Sequence, residues 1–370
     1  MQYRSFGKTK EQVSALGFGC MRFPTKDGHI WEEKAIAMVR GAIDSGVNYI
    51  DTAYFYHDGE SEGLVGKALQ DGYREKVMIA TKSPPWLLNE PADFERVFEK
   101  QCSRLGVEYI DCYLLHALDR DGWENKVLKF DLLSRIKRLK EQGKIRYIGF
   151  SFHDDYDTFK RIVDGFDAWD FCQIQMNYID VNNQAEIRGM EYAAARDMGV
   201  IIMEPLLGGK LANPPEGVLE ALSSERTAVE WALDFLWDRP EVSLLLSGMS
   251  DPQQVTDNLL YADRSAVHML TDVQRAMFIN AKRIYDTMAR VSCTKCAYCM
   301  PCPLGVNIPG MFEAYNRSAI SMDEAKDLFA ALDGQTAELC VACGQCRDVC
   351  PQHIPISDVL IKAQSVFVTE

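Results

Sequence analysis

The chain is 370 residues long, 47% hydrophobic and 25% charged, with a formal net charge of -14. That charge argues against nucleic acid or an anionic membrane as partner, because either would be approached against like charge. No apolar run approaches the roughly 18 residues of a membrane helix, so a soluble, cytoplasmic protein is expected.

In chain order, Met1–Val13 reads as a small hairpin with a polar Gly7-Lys8-Thr9 turn, suited to closing the floor of a barrel. Eight short apolar runs follow: Ser14–Cys20, Val47–Asp51, Val77–Lys82, Ile110–His116, Ile145–Ser151, Phe171–Asn177, Gly199–Glu204 and Val242–Ser247. Their nearly continuous apolar character predicts parallel strands covered on both faces. Between them lie helical periodicities such as Glu33–Ser45, Asp93–Leu105, Leu128–Gln142 and Gln184–Met198, with glycine stops expected at Gly46, Gly106, Gly143 and Gly199. Eight strand–helix units in this length predict a (β/α)8 TIM barrel. A doubly wound sheet is the alternative architecture, but no Gly-x-Gly-x-x-Gly follows the first strand. Helices over Pro252–Ala262 and Thr271–Arg290 are expected next. The domain reading is a barrel over 1–265, a connecting helix over 266–290 and an α-helical, ferredoxin-like iron–sulfur domain over 291–370.

Eight of the 12 cysteines form two runs, Cys293, Cys296, Cys299 and Cys302 before Pro303, then Cys340, Cys343, Cys346 and Cys350 before Pro351. Two runs closing on Cys-Pro suit a pair of iron–sulfur clusters. Zinc would also use Cys-x-x-Cys pairs, though it rarely wants a third cysteine two residues on. Two clusters, one cluster with spare thiols, and zinc all stay open on spacing. Disulfides are not expected: the first residues do not read as a secretory signal, and Cys20, Cys102, Cys112 and Cys172 sit singly in apolar runs. The second run has the spacing of bacterial ferredoxins; the first has only two residues before its last cysteine. The resemblance to two-cluster ferredoxins implies that Cys293, Cys296 and Cys299 share a cluster with Cys350, and Cys340, Cys343 and Cys346 with Cys302.

Barrel enzymes place reacting groups where strands end. Here strand two ends in Asp51 and leads through Thr52-Ala53-Tyr54-Phe55 to Tyr56, strand three ends in Lys82 and strand four in His116. This order of Asp, Tyr, Lys and His resembles the catalytic tetrad of the aldo-keto reductases. Asp51-Thr-Ala-x-x-Tyr56 with Gly59-Glu60-Ser61-Glu62, Ala80-Thr81-Lys82, Leu114-Leu115-His116, Gly149-Phe150-Ser151, Gln175-Met176-Asn177 and Glu204-Pro205-Leu206 carry the resemblance from residue 1 to about 265.

The resemblance implies reduction of an aldehyde or ketone by hydride transfer, or the reverse oxidation of an alcohol. Tyr56 would be the general acid, selected over Tyr54 by the family's five-residue step from Asp51. An ordinary phenol, with a pKa of about 10, is a weak acid for that task without a neighbouring cation. Lys82 would be that cation, Asp51 would hold it, and His116 would donate a hydrogen bond to the carbonyl oxygen.

The cofactor implied is NADP or NAD. Ser151 and Gln175 match the positions that hold the carboxamide, although Phe152 stands where many members have Asn. Leu206, Gly208 and Lys210 match the pyrophosphate loop, and Ser250, Gln254 and Asn258 the adenosine end. Gln254 stands about where members selecting the phosphorylated cofactor carry a basic residue, and an amide cannot pair bidentately with a phosphate. Trp86, Trp123, Tyr54, Phe55 and His57 suggest an aromatic pocket for a small carbonyl or alcohol. The alternative reading is a nucleotide-sensing or electron-relay protein exchanging electrons with a ferredoxin-like partner. Nicotinamides move two electrons as hydride and clusters one at a time, and no flavin-binding signature joins them.

Overall fold

The computed structural model describes residues 1–288 and 290–368. Residue 289 of the expected connecting helix and the last two residues of the expected cysteine domain lie outside them. The chain divides into two compact units, one of Met1–Pro205 with Ala232–Thr271, the other of Leu206–Trp231 with the chain from Asp272 onward.

The first unit is a closed barrel of eight parallel strands in sequential order. They are β1 Leu16–Gly19, β2 Tyr49–Asp51, β3 Met78–Ser83, β4 Ile110–Leu118, β5 Ile145–Phe152, β6 Phe171–Gln175, β7 Gly199–Met203 and β8 Leu244–Gly248. β8 closes on β1 with Leu245 opposite Leu16 and Gly248 opposite Gly19. All eight expected strands form, and their bounds shift by a few residues.

The barrel floor is built as its sequence suggests. Tyr3–Ser5 pairs antiparallel with Gln12–Ser14, and Phe6 and Val13 enter a core with Tyr49, Met78, Leu114, Phe171, Ile201 and Leu244. Full burial of each such side chain contributes about 1.5–3 kcal/mol. Gly199 does not end a helix, contrary to expectation. It opens β7 without a left-handed φ, and a Cβ there would sit 2.4 Å from the Phe6 ring, so it is glycine because the floor plug needs the space. The turn before it is made by Asp197 at φ 55°. Gly106 does stop its helix, Asp93–Leu105, in the left-handed conformation at φ 66°.

One expected helix starts late. In place of Leu128–Gln142 the helix runs over Leu132–Glu141, entered from Asp131 at φ 53°, and a π-helical turn over Trp123–Leu128 lies ahead of it.

In the second unit, helices Ile308–Arg317, Met322–Ala330 and Ile356–Phe367 pack around Val306, Met311, Phe312, Leu332, Ile356 and Leu360, with six of the eight clustered cysteines at the edge of this core. Asn307 and Ser321 cap two of these helices, each accepting a hydrogen bond from a first-turn N–H. No helix among the described residues is long and apolar enough to cross a membrane.

Candidate active site

β2, β3 and β4 deliver the expected tetrad to one rim. Lys82 and Asp51 are buried. The Lys82 ammonium donates to Asp51 Oδ1 at 2.6 Å, to the Thr52 carbonyl at 2.7 Å and to the Tyr56 hydroxyl at 3.4 Å. An ion pair this deep is held by such multiple bonds, since the Coulomb attraction alone scarcely offsets desolvation. Burial pushes the Asp51 carboxyl above its ordinary range, and Lys82 pulls it back.

Tyr56 begins a tight reversal in which His57, Asp58 and Gly59 are all left-handed, at φ 50°, 54° and 91°. Such a conformation costs a non-glycine residue on the order of 1 kcal/mol, and it fixes where the phenol emerges. Burial, with Asp51, Cys20 and Glu204 nearby, holds the Tyr56 phenol well above its ordinary pKa, against a small opposing pull from Arg22. Burial dominates the balance at this phenol. The phenol is kept loaded with its proton.

His116 owes its aim to a bulge. The β4–β5 register slips between Leu115 and Leu118, and Ala117 is left-handed at φ 47° with its N–H donating to Ser151 Oγ at 2.7 Å. Bulges of this kind re-aim a side chain. Burial, then Lys82 and His153, push the imidazole well below its ordinary pKa, so it is neutral. Its Nδ1 and Oδ2 of Asp51 are buried without a hydrogen bond.

The aromatic wall is real in part. Phe55 stacks on the His116 ring at 5.2 Å, and Trp86, 44% exposed, lies 5.4 Å from it. Tyr54 is turned away beneath the Arg104 guanidinium, 4.5 Å above its ring. His57 instead accepts the Phe23 N–H at 3.1 Å. Trp123 is a correction to the pocket expectation: it is buried, with Gly165 against its ring.

The residues expected at the dinucleotide fall in both units. Ser151 accepts the Ala117 N–H, which leaves its hydroxyl hydrogen to donate. Gln175 is pre-oriented, its amide donating to Asp180 at 2.8 Å and accepting from Gln184 at 3.2 Å. After β8, Gln254 accepts the Ser250 N–H at 2.9 Å and Asn258 donates to Ser247 at 3.0 Å. Leu206, Gly208 and Lys210 belong to the second unit. There Gly208 has φ 66°, and a Cβ on it would lie 2.2 Å from the Thr294 carbonyl, so the loop backbone packs on the first cysteine run.

The cysteine runs interleave. Cys299 has Cys296, Cys293 and Cys350 as neighbouring thiols, and burial pushes its own thiol up to about 12. Cys346 has Cys340 and Cys343 beside it. Cys302, Cys340, Cys343 and Cys346 line a cavity of about 210 Å³ with Cys299, Val306 and Leu360. No group of three or more His, Cys, Asp or Glu among the described residues closes on a single metal ion. Five of the eight clustered thiols instead line this one partly apolar space.

Sequence reading missed a buried polar scaffold under the tetrad. Glu62 is fully buried and accepts from Thr81 at 2.7 Å, Gln101 at 2.8 Å and Arg104 at 3.0 Å. Gln101 and Arg104, three apart on the helix Asp93–Leu105, were the available signal.

Comparison with known proteins agrees with this geometry. The model of the aldo/keto reductase family matches residues 15–217, and that of a 4Fe-4S dicluster domain matches residues 292–354. L-galactose dehydrogenase of Arabidopsis thaliana is 28% identical over 284 residues, covering 70% of this chain and 87% of that one. An aldo-keto reductase of Bacillus halodurans, in its holo form, superposes with a TM-score of 0.65 at 25% identity, over 76% of this chain and 96% of that one. One from Klebsiella pneumoniae in complex with NADPH gives 0.62 at 25% identity, over 77% and 96%. A closed barrel with Asp51, Lys82 and Tyr56 in contact at its rim, matched by the family model over more than half its length, makes this chain a member of the aldo/keto reductase family that carries a C-terminal 4Fe-4S dicluster domain.

Proposed function

We propose that the chain is an NAD(P)H-dependent oxidoreductase that reduces an aldehyde or ketone to an alcohol, or runs the reverse reaction. The observation that carries this reading is the buried Lys82 ammonium bonded at once to Asp51 and to the Tyr56 hydroxyl. The bound dinucleotide supplies the hydride. Tyr56 gives its proton to the carbonyl oxygen as negative charge grows there, and takes it back in the reverse direction. Lys82, fixed by Asp51, stabilises the phenolate left behind. Neutral His116 donates one hydrogen bond to the same oxygen, which polarises the carbonyl without adding a charge. Phe55 and Trp86 keep water off the reacting centre.

Ser151 and Gln175 are assigned to the carboxamide, Leu206, Gly208 and Lys210 to the pyrophosphate, and Ser250, Gln254 and Asn258 to the adenosine end. The pre-oriented Gln175 amide and the free hydroxyl hydrogen of Ser151 support the first of these. The NADPH bound by the Klebsiella relative supports the cofactor class. In the second unit, Cys293, Cys296, Cys299 and Cys350 are assigned to one cluster and Cys340, Cys343, Cys346 and Cys302 to the other, supported by their interleaved neighbours. Each cluster would supply one-electron transfer. The exposed Cys343 supports exchange with a ferredoxin-like partner as a second activity.

The test is a panel of carbonyls and alcohols run with NADH and NADPH, with and without reduced ferredoxin. Carbonyl-dependent oxidation of a reduced dinucleotide is expected without ferredoxin. Turnover only when ferredoxin is supplied would favour the electron-relay reading instead.

A further inference from the structure

The loop that carries Tyr56 runs through three successive left-handed residues, His57, Asp58 and Gly59, and contacts from outside brace it. Two contacts do so from one side chain. Arg104 donates to the Tyr54 carbonyl at 2.7 Å and covers the Tyr54 ring at 4.5 Å, two residues before Tyr56. Its guanidinium also abuts Gly59, where a Cβ would sit 3.0 Å from it, three residues after Tyr56. Arg104 therefore grips the loop on both sides of the phenol. The arginine is itself fixed by fully buried Glu62 at 3.0 Å.

The same helix reaches the neighbouring strand. Gln101 donates to the Lys82 carbonyl at 3.0 Å and to Glu62 at 2.8 Å, while Tyr113 holds its other end at 2.8 Å. Glu62, Gln101 and Arg104 thus form one rigid piece that meets the backbone of Lys82 and the loop of Tyr56.

We propose that Arg104, anchored by Glu62, is the positioning residue that sets Tyr56 against Lys82. This rests on Tyr56 being the general acid. Arg104 touches no reacting atom. Misplacing a reacting group by about 1 Å costs on the order of 10²-fold in rate, and the planar guanidinium, which pairs and stacks together, is not replaced by lysine.

The test uses the full chain with para-nitrobenzaldehyde and each reduced dinucleotide. Arg104→Met should lower kcat by about 10²-fold with the KM for dinucleotide unchanged, and Arg104→Lys should recover part of the loss. The pH profile adds a readout that general weakening would not move. Tyr56 faces Asp51, Cys20, Glu204 and Arg22 as well as Lys82, none of which is altered, so a loosened, wetter phenol should bring the alkaline limb down toward the ordinary value of about 10. A kcat loss with that limb unmoved, or no loss at all, would overturn the proposal. If Arg104→Met does not fold, Glu62→Gln, which keeps the volume and removes the charge, carries the same readouts. Tyr56→Phe run alongside separates the two claims: dead Tyr56→Phe with fully active Arg104→Met defeats the clamp alone, and active Tyr56→Phe defeats the acid assignment itself.

Discussion

A fully buried ammonium stays where it is only through the groups around it, and for Lys82 those are Asp51, the Thr52 carbonyl and Tyr56. Lys82→Met should therefore cost about 3 kcal/mol in urea unfolding, because it strands the Asp51 carboxylate without a partner. The Asp51→Asn, Lys82→Met double variant should recover much of that loss while remaining inactive, since a neutral pair carries no desolvated charge. Equal stability of the single and double variants would contradict the pairing. Asp51 and Lys82 were legible in the chain because each closes an apolar run, and a strand end in a barrel has one place to point. Glu62 and Arg104 were not. Their pairing joins the helix Asp93–Leu105 to the helix Glu60–Ala68, 42 positions earlier, and the spacing of Gln101 and Arg104 on one helix does not say which partner they meet.

At the scale of elements, the eight strands were readable from continuous apolar runs, and the floor hairpin from its turn. The bulge in β4 was not readable: its residues, Leu115 to Leu118, are apolar apart from the histidine it presents, and the slip appears only against β5. That bulge and the reversal after Tyr56 hold two histidines neutral. Burial pushes His116 well below its ordinary value and His57 below it as well. The unfolded chain takes up protons at both from about pH 6.5 downward and the fold only at lower pH, so stability is full above that pH and falls as the pH drops below it. The exposed pair of His29 with Glu60 acts in the opposite sense and is screened by solvent. Thermal melts should show a falling Tm from about pH 7 to about pH 5, and His116→Gln should flatten the slope. A slope unchanged in that variant would contradict a neutral, buried His116.

The whole molecule joins an aldo/keto reductase barrel to a 4Fe-4S dicluster domain. Cysteine spacing alone left zinc open, because thiolate pairs serve both metals; what favours iron–sulfur clusters is the match of residues 292–354 to the 4Fe-4S dicluster model. Anaerobically purified protein should contain about eight iron atoms per chain and show a broad brown absorption that bleaches on reduction. Half that iron would mean one filled site, and a colourless zinc protein would contradict the ligand assignment. The packing of Gly208 on the Thr294 carbonyl puts the loop assigned to the pyrophosphate in the unit that holds these cysteines, a relation that motif order along the chain does not reveal.

The central claim is that Tyr56 moves the proton. It is tested most directly by comparing Tyr56→Phe with the wild-type chain on the carbonyls that the panel identifies, with dinucleotide binding measured in parallel. Loss of the hydroxyl should lower turnover by about 10²–10⁴-fold and leave dinucleotide affinity as it was; turnover equal to wild type would contradict it.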